Sequence, residues 1–280
     1  MRIIITGAGG MLGHDLVKTL EVRYDVVAFD HKGLDITDRI RLKDVIISES
    51  PDILINCAAY TQVDRAEEDR EKAFMVNGLG VQNLALICEQ QGVALCHIST
   101  DYVFDGNKRT PYTPFDNTSP VNYYGYTKLA GEQYIKWFMK RFYIVRTSWL
   151  YGKNGSNFVK TIIRVSQERD QLRVVNDQIG SPTCTVTLAR AIEQIILSEV
   201  YGVHHVTDRT EGGISWYDFA RAILDLTGSK TMLVPITTEE YPTAARRPAY
   251  SVLDTSFTEF STGYNPPDWY DSLKEFIESL

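Results

Sequence analysis

The chain has 280 residues and carries 29 Lys and Arg against 36 Asp and Glu, a net charge of −7. That length is long for one core and short for two full domains, and the acidic balance argues against a nucleic-acid partner, which calls for a basic face. No apolar stretch approaches the roughly 20 residues that cross a bilayer, so no membrane partner is expected. Arg2 runs directly into Ile3-Ile4-Ile5 with no secretory cleavage site after it. The scattered Cys57, Cys88, Cys96 and Cys184 form neither a CxxC metal pair nor a disulfide framework. Free thiols in a reducing, cytoplasmic setting and no bound metal are the expectation.

Arg2–Thr6 reads as a strand buried on both faces, because it lacks polar alternation. Met11–Leu20 reads as a helix, Asp25–Asp30 as a second strand, and Asp38–Glu49 as a helix capped by Thr37 and ended by Pro51. Asp52–Asn56 is a third strand. Lys72–Gln91 reads as one long helix stopped by Gly92, and Val93–Ser99 as a fourth strand. Gly125–Lys140 is a helix, Phe142–Thr147 a fifth strand and Leu172–Val175 a candidate sixth. Strands alternating with helices imply right-handed crossovers, so the fold expected is α/β, a doubly wound, Rossmann-like parallel sheet. From about Tyr151 the alternation weakens, and the loops Asn176–Thr183 and Thr237–Tyr250 gather Gly, Pro, Asp and Thr. Residues 1–150 are expected to form a dinucleotide-binding domain, and 151–280 a smaller C-terminal substrate-binding lobe interleaved with it.

The turn Thr6-Gly7-Ala8-Gly9-Gly10-Met11-Leu12-Gly13 follows the first strand and opens the first helix. Gly7 suits the tight turn, Gly10 the close approach of a phosphate, and Gly13 the packing of helix on sheet. The helix start at Met11 and Leu12 then offers free N–H groups to a pyrophosphate. Asp30 ends the second strand where an acid would accept a ribose hydroxyl; His31 and Lys32 follow at once, so the choice between NADH and NADPH stays open. Asp35 and Ile36 are placed to flank an adenine. Ala58, Ala59 and Tyr60 close the third strand with small residues that leave room for a cofactor.

Far downstream, Tyr124-Gly125-Tyr126-Thr127-Lys128 starts a helix and sets Tyr124 and Lys128 on one face. The preceding strand ends in Ser99-Thr100-Asp101. An isolated tyrosine titrates near ~10; a neighbouring ammonium and an oxidised nicotinamide would lower it. Tyr124 is then the proton carrier, Lys128 its tuner and a ribose ligand, and Thr100 the donor that polarises a substrate carbonyl. His97, within the strand, reads as core rather than catalytic. Two adjacent guanidinium groups, Arg246 and Arg247, suit a diphosphate.

With these motifs in view, the chain resembles the extended short-chain dehydrogenase/reductase family and, within it, the dTDP-4-dehydrorhamnose reductase group. The resemblance runs almost end to end. It is carried by Ile55–Thr61, Val63-Asp64, Ala66-Glu67, Asn77, Ser99–Gly106, Tyr124–Glu132, Arg146–Trp149, Asn176–Gln178 with Gly180 and Pro182-Thr183, and Ala245–Pro248. It implies reduction of a 4-keto dTDP-sugar by NADPH or NADH, with Thr100, Tyr124 and Lys128 catalytic. It also implies Asn77 on the cofactor side, and Asp101, Trp149, Asn157, Gln178 and Arg246 against the nucleotide-sugar. Some relatives dimerise through a magnesium ion held by glutamates. This chain has Val186 at one such position and Asp15 at another, so a homodimer without that bridge is implied. Two alternatives use the same fold: a nucleotide-sugar epimerase, and a non-catalytic NADP-binding subunit of the kind that regulates methionine adenosyltransferase.

Overall fold

The computed structural model describes all 280 residues. Strands β1 (Arg2–Thr6), β2 (Asp25–Phe29), β3 (Ile53–Asn56), β4 (Ala94–Thr100) and β5 (Phe142–Thr147) form one parallel sheet with a sixth strand, Gly202–His205. The order is Gly202–His205, β5, β4, β3, β1, β2. Leu172–Val175 is not part of this sheet. It belongs to Gln171–Val175, which pairs in parallel with Met232–Ile236 in a separate two-stranded sheet. The edge beside β5 is filled instead by Gly-Val-His-His, a segment too short and too polar to announce itself as a buried strand, although His204 and His205 are both 0% exposed.

Helix α1 (Met11–Leu20) places Leu12, Leu16 and Leu20 on one stripe against the sheet, beside Leu188, Ile192 and Ile195 of helix Thr185–Ser198. On the other face α2 (Arg39–Glu49) contributes Leu42 and Val45 to the core. Each such side chain stabilises the fold by about 1.5–3 kcal/mol through burial. The cap of α2 is Asp38, whose carboxylate accepts from the Arg41 N–H at 3.0 Å, and not Thr37, whose hydroxyl is taken by Asp35.

The long helix expected over 72–91 is broken. It runs as α3 (Arg70–Phe74), a π-helical turn at Met75–Gly80, and α4 (Val81–Gln91). Three observations show why. A Cβ on Gly80 would lie 2.8 Å from the Ile36 side chain, and one on Gly131 would lie 2.4 Å from the Asn77 carbonyl oxygen. Asn77 also turns its amide out of the helix to other partners. An extra residue in the turn relieves the crowding and re-aims Asn77. Helix α5 (Tyr123–Phe138) packs on α4 and on this turn. A third core cluster, which includes Tyr151, Leu172, Phe219 and Phe276, lies within residues 151–280. The same stretch returns Gly202–His205 to the sheet, so the two parts of the chain interleave.

Candidate active site

The sheet order reverses between β1 and β3, and doubly wound sheets take ligands outside the strand ends at such a point. Gly7 leaves β1 at φ +69°, and a Cβ on it would sit 2.5 Å from the Ala58 nitrogen. One on Gly13 would sit 2.3 Å from the Gly7 carbonyl oxygen. The turn is thus drawn flat against the end of β3, and α1 against the turn. Gly10 caps α1 with no side-chain hydrogen bond, so the first amides, at Met11 and Leu12, keep their donors for a ligand.

On the adenosine side, Asp30 is exposed and its Oδ1 accepts from the Gly33 N–H at 2.8 Å. It borders a surface cavity with Gly9, His14 and Lys18. The Asp35 carboxylate caps Thr37, and Ile36 is 2% exposed, its side chain packed in the core and its carbonyl accepting from Asn83 Nδ2 at 3.2 Å, so the expected flank of an adenine is buried here. Ala58 and Ala59 are half-buried at the strand end. Asn77 clamps Tyr60 from the π-helical turn: its Oδ1 accepts from the Tyr60 N–H at 2.8 Å and its Nδ2 donates to the Tyr60 carbonyl at 3.0 Å. The same Nδ2 lies 3.0 Å from the Thr127 hydroxyl on α5.

Asn122 caps α5 by accepting from the Gly125 N–H at 2.8 Å. Gly125 lies so close to the exit of β4 that a Cβ would meet the Tyr102 carbonyl oxygen at 2.1 Å. This approach sets Tyr124 edge-on to Tyr102, 5.8 Å between ring centres, and brings its phenol to the Thr100 hydroxyl. Thr100 Oγ1 donates to Asp101 Oδ1 at 2.9 Å. Asp101 is 2% exposed, and its Oδ2 is buried without a hydrogen bond of good geometry, the Ser251 hydroxyl being near the same carboxylate. Burial pushes the Asp101 carboxyl up to about 6.

The lowered phenol expected from the Tyr124/Lys128 pairing is not what the structure holds. Burial and then the Asp101 charge push Tyr124 up, with the Thr100 hydroxyl pulling weakly the other way. Lys128 gives no relief because its Nζ donates to the Ile98 carbonyl at 2.6 Å and lies 3.3 Å from His97 Nε2. Burial lowers Lys128 to about 8, against the opposing pull of Glu132 and Cys57.

Trp149 lies just past β5, whose Thr147 pairs with Thr100. Its φ of +47° is a left-handed conformation rarely tolerated by an aromatic residue and common at functional sites. It stacks on Trp216 with ring centres 3.5 Å apart and planes 11° from parallel, and a Cβ on Gly180 would collide with the indole at 2.6 Å. Asn157 spends its side chain on the fold, capping helix Phe158–Glu168 through the Lys160 N–H and donating to the Gly152 carbonyl at 2.8 Å. Gln178 Nε2 donates to the Thr238 hydroxyl at 3.0 Å. Of the two adjacent guanidinium groups expected to suit a diphosphate, Arg246 is exposed with no ion pair, whereas Arg247 is bound by both terminal nitrogens to Asp64. The Arg246 carbonyl accepts from Asn122 Nδ2 at 2.8 Å, which puts this loop beside the start of α5.

Asn122 and Trp216 escaped the sequence reading, and His97 and Asp64 were named in it without their partners. Asn122 stands where an N-cap is wanted, a signal that was available. His97, Asp64 and Trp216 act through partners 31, 183 and 67 residues away in sequence, separations that no local pattern records.

The RmlD substrate binding domain family model matches residues 1–280. A dTDP-4-dehydrorhamnose reductase of Aggregatibacter actinomycetemcomitans is 44% identical over 287 residues, covering 98% of this chain and 97% of the relative. Among solved structures, a dTDP-4-dehydrorhamnose reductase from Clostridium acetobutylicum superposes with a TM-score of 0.97 at 44% identity, covering 100% of this chain and 99% of the other. A dTDP-4-dehydrorhamnose reductase from Bacillus anthracis in complex with NADP gives 0.96 at 42% identity, covering 100% and 99%.

Proposed function

The chain belongs to the RmlD substrate binding domain family, and on that premise we propose that it reduces the 4-keto group of dTDP-4-dehydro-β-L-rhamnose to dTDP-β-L-rhamnose with NADPH or NADH, the last step of dTDP-L-rhamnose biosynthesis. The observation that carries the reading is half-buried Tyr124 at the start of α5 with its phenol beside Thr100 at the carboxyl edge of the sheet, next to a turn whose glycines leave no room for side chains. That turn and the uncapped start of α1 fit a dinucleotide pyrophosphate. When bound, the nicotinamide supplies the hydride for the C4 carbon.

The chain's own residues supply the rest. Tyr124, kept protonated by its surroundings, donates the phenolic proton to the C4 oxygen; reduction needs this state, so the raised phenol suits the direction. Thr100 polarises the same oxygen once its hydroxyl turns from Asp101 Oδ1 to the substrate, and Lys128 holds the nicotinamide ribose. Asp101 offers its Oδ2 to the sugar, Trp149 a flat ring, and Arg246 a free charge to the diphosphate. Asn157 and Gln178 shape the wall around these contacts. Gly7, Gly10, Met11, Leu12, Gly13, Asp30, Asp35, Ile36, Ala58, Ala59, Tyr60 and Asn77 form the cofactor side. Residues 1–150 thus hold the dinucleotide and, through Thr100, Asp101 and Trp149, part of the sugar, and 151–280 the rest of the nucleotide-sugar. Self-association proceeds without a shared magnesium ion, since Asp15 spends its carboxylate on the Thr185 hydroxyl and Val186 offers no ligand. No helix is long and apolar enough to cross a membrane, and the small nucleotide substrate fits a cytoplasmic enzyme.

The test is oxidation of NADPH and of NADH, followed by absorbance, with the 4-keto nucleotide-sugar present and absent. Turnover is expected only with the sugar. Tyr124→Phe is expected to lose about two to four orders of magnitude in turnover while binding the cofactor normally; undiminished turnover would remove Tyr124 from its role.

A further inference from the structure

We infer that Asn56 and His97 together set the proton affinity of the Lys128 amine, by locking His97 in the tautomer that points an N–H at it. Asn56 is 1% exposed at the end of β3. Its Oδ1 accepts from the Ala58 backbone N–H at 3.1 Å and from the Thr6 hydroxyl at 2.7 Å. A backbone amide only donates, so the orientation of the Asn56 amide follows from the bonding and leaves no freedom to flip. Its Nδ2 therefore donates to His97 Nδ1, 2.9 Å away.

His97 is 0% exposed, and burial first, then Lys128, hold its pKa well below the ordinary value, so the ring is neutral and carries one N–H. With Nδ1 accepting, the proton is on Nε2. That N–H faces Lys128 Nζ at 3.3 Å. An ammonium has three donors and no lone pair, so the contact opposes donor to donor; a neutral amine accepts from His97 Nε2–H while still donating to the Ile98 carbonyl. The arrangement therefore favours the neutral form. The other titratable groups acting on Lys128 are Glu132 on its own helix and Cys57 just after β3, both of which favour the charge; Tyr124 lies one turn earlier on α5. The lowering of Lys128 to about 8 agrees with burial winning over these attractions. His97 is thus a positioning residue acting through Lys128. Only the activity readout rests on the proposed reduction; the tautomer and the lysine titration belong to the protein alone.

The experiment is nitrogen-15 NMR of the histidine rings and carbon-13 NMR of the lysine ε-carbons in the cofactor-free protein, with pH profiles of kcat/KM alongside. In the wild type the pyridine-type nitrogen of His97 is expected to be Nδ1. Asn56→Asp provides a carboxylate that accepts from His97 Nδ1–H, moving the proton to Nδ1 and turning a lone pair toward Lys128. His97→Phe removes the N–H without adding charge. In both, the proton affinity of Lys128 is expected to rise tenfold or more, one pKa unit, and the high-pH limb of kcat/KM to move with it. A wild-type ring with the pyridine-type nitrogen at Nε2 overturns the inference, as does a Lys128 titration unchanged in both variants. Should the variants fail to fold, the wild-type tautomer alone decides. If the wild type shows the expected tautomer and titration but no turnover of the 4-keto sugar, the proposed reduction falls and this inference stands.

Discussion

Arg247 grips Asp64 with both terminal guanidinium nitrogens, at 2.8 and 2.7 Å, and the Ala245 N–H donates to the same carboxylate at 3.0 Å. This joins the loop bearing Arg246 to the segment that follows β3. On its other side the loop is held by Asn122, the cap of α5. The helix start that carries Tyr124 and the loop that carries the free arginine are therefore fixed to each other.

Asp64→Asn is expected to loosen that loop, raising KM for the nucleotide-sugar on the order of tenfold by weakening a bidentate, charge-assisted pair, with cofactor affinity unchanged. Steady-state kinetics with each substrate varied separates the two. The Arg247 hydrogen bonds hold the Asp64 carboxyl below its ordinary pKa, so the latch persists above and through the usual aspartate range and is lost as pH falls through the depressed value. Asp64 is 46% exposed, so salt is expected to weaken the effect. An unchanged KM would show that the loop does not depend on the pair.

Glu132 lies one turn beyond Lys128, 0% exposed, and takes hydrogen bonds from Arg146 at 2.9 and 2.7 Å and from Ser99 at 2.6 Å. Burial alone would raise its pKa; the Arg146 charge outweighs it and holds the carboxyl at about 2. A depressed folded pKa means stability that is present in full above the ordinary glutamate value and lost as pH falls toward 2. Glu132→Gln, which leaves Arg146 buried without its counter-charge, is expected to cost about 3–5 kcal/mol at neutral pH. Urea melts at pH 7 and pH 3 would show the gap to wild type narrowing in acid; a constant gap would contradict the assignment.

Asn77→Ala strands the Tyr60 N–H and carbonyl together and frees the π-helical turn from α5. Orphaned buried groups cost about 1–3 kcal/mol. The expected signature is NADPH affinity lowered by tenfold or more with a modest fall in melting temperature, measured by fluorescence titration and calorimetry. Wild-type affinity would separate the clamp from cofactor binding.

Gly13→Ala places a methyl 2.3 Å from the Gly7 carbonyl oxygen, a backbone atom that cannot move aside cheaply. Overpacking of this kind costs about 1–3 kcal/mol. The loss is expected to appear as much in cofactor affinity as in stability, because relief requires α1 to lift away from the turn.

The sheet strands of the first half were legible because each is a short apolar run bounded by turn residues, and the glycine turn because its spacing and its place between strand and helix coincide. The place of Tyr124 and Lys128 one turn apart on α5 was legible for the same local reason, a helical repeat at a predicted helix start. The break in the helix at Met75–Gly80 was not, because Ile36 and α5 impose it from the side. Nor was the place of Gly202–His205 in the sheet, since Gly-Val-His-His carries fewer apolar residues than Leu172–Val175. Side-chain chemistry shows the same division. Residue types and spacing alone singled out a phenol, an amine and a hydroxyl at the carboxyl edge of the sheet as candidates. Only the folded chain decided their proton affinities and partners. Burial and fixed hydrogen bonds act through space, and they raised the phenol, turned Lys128 to His97, and bound Arg247 while leaving Arg246 free.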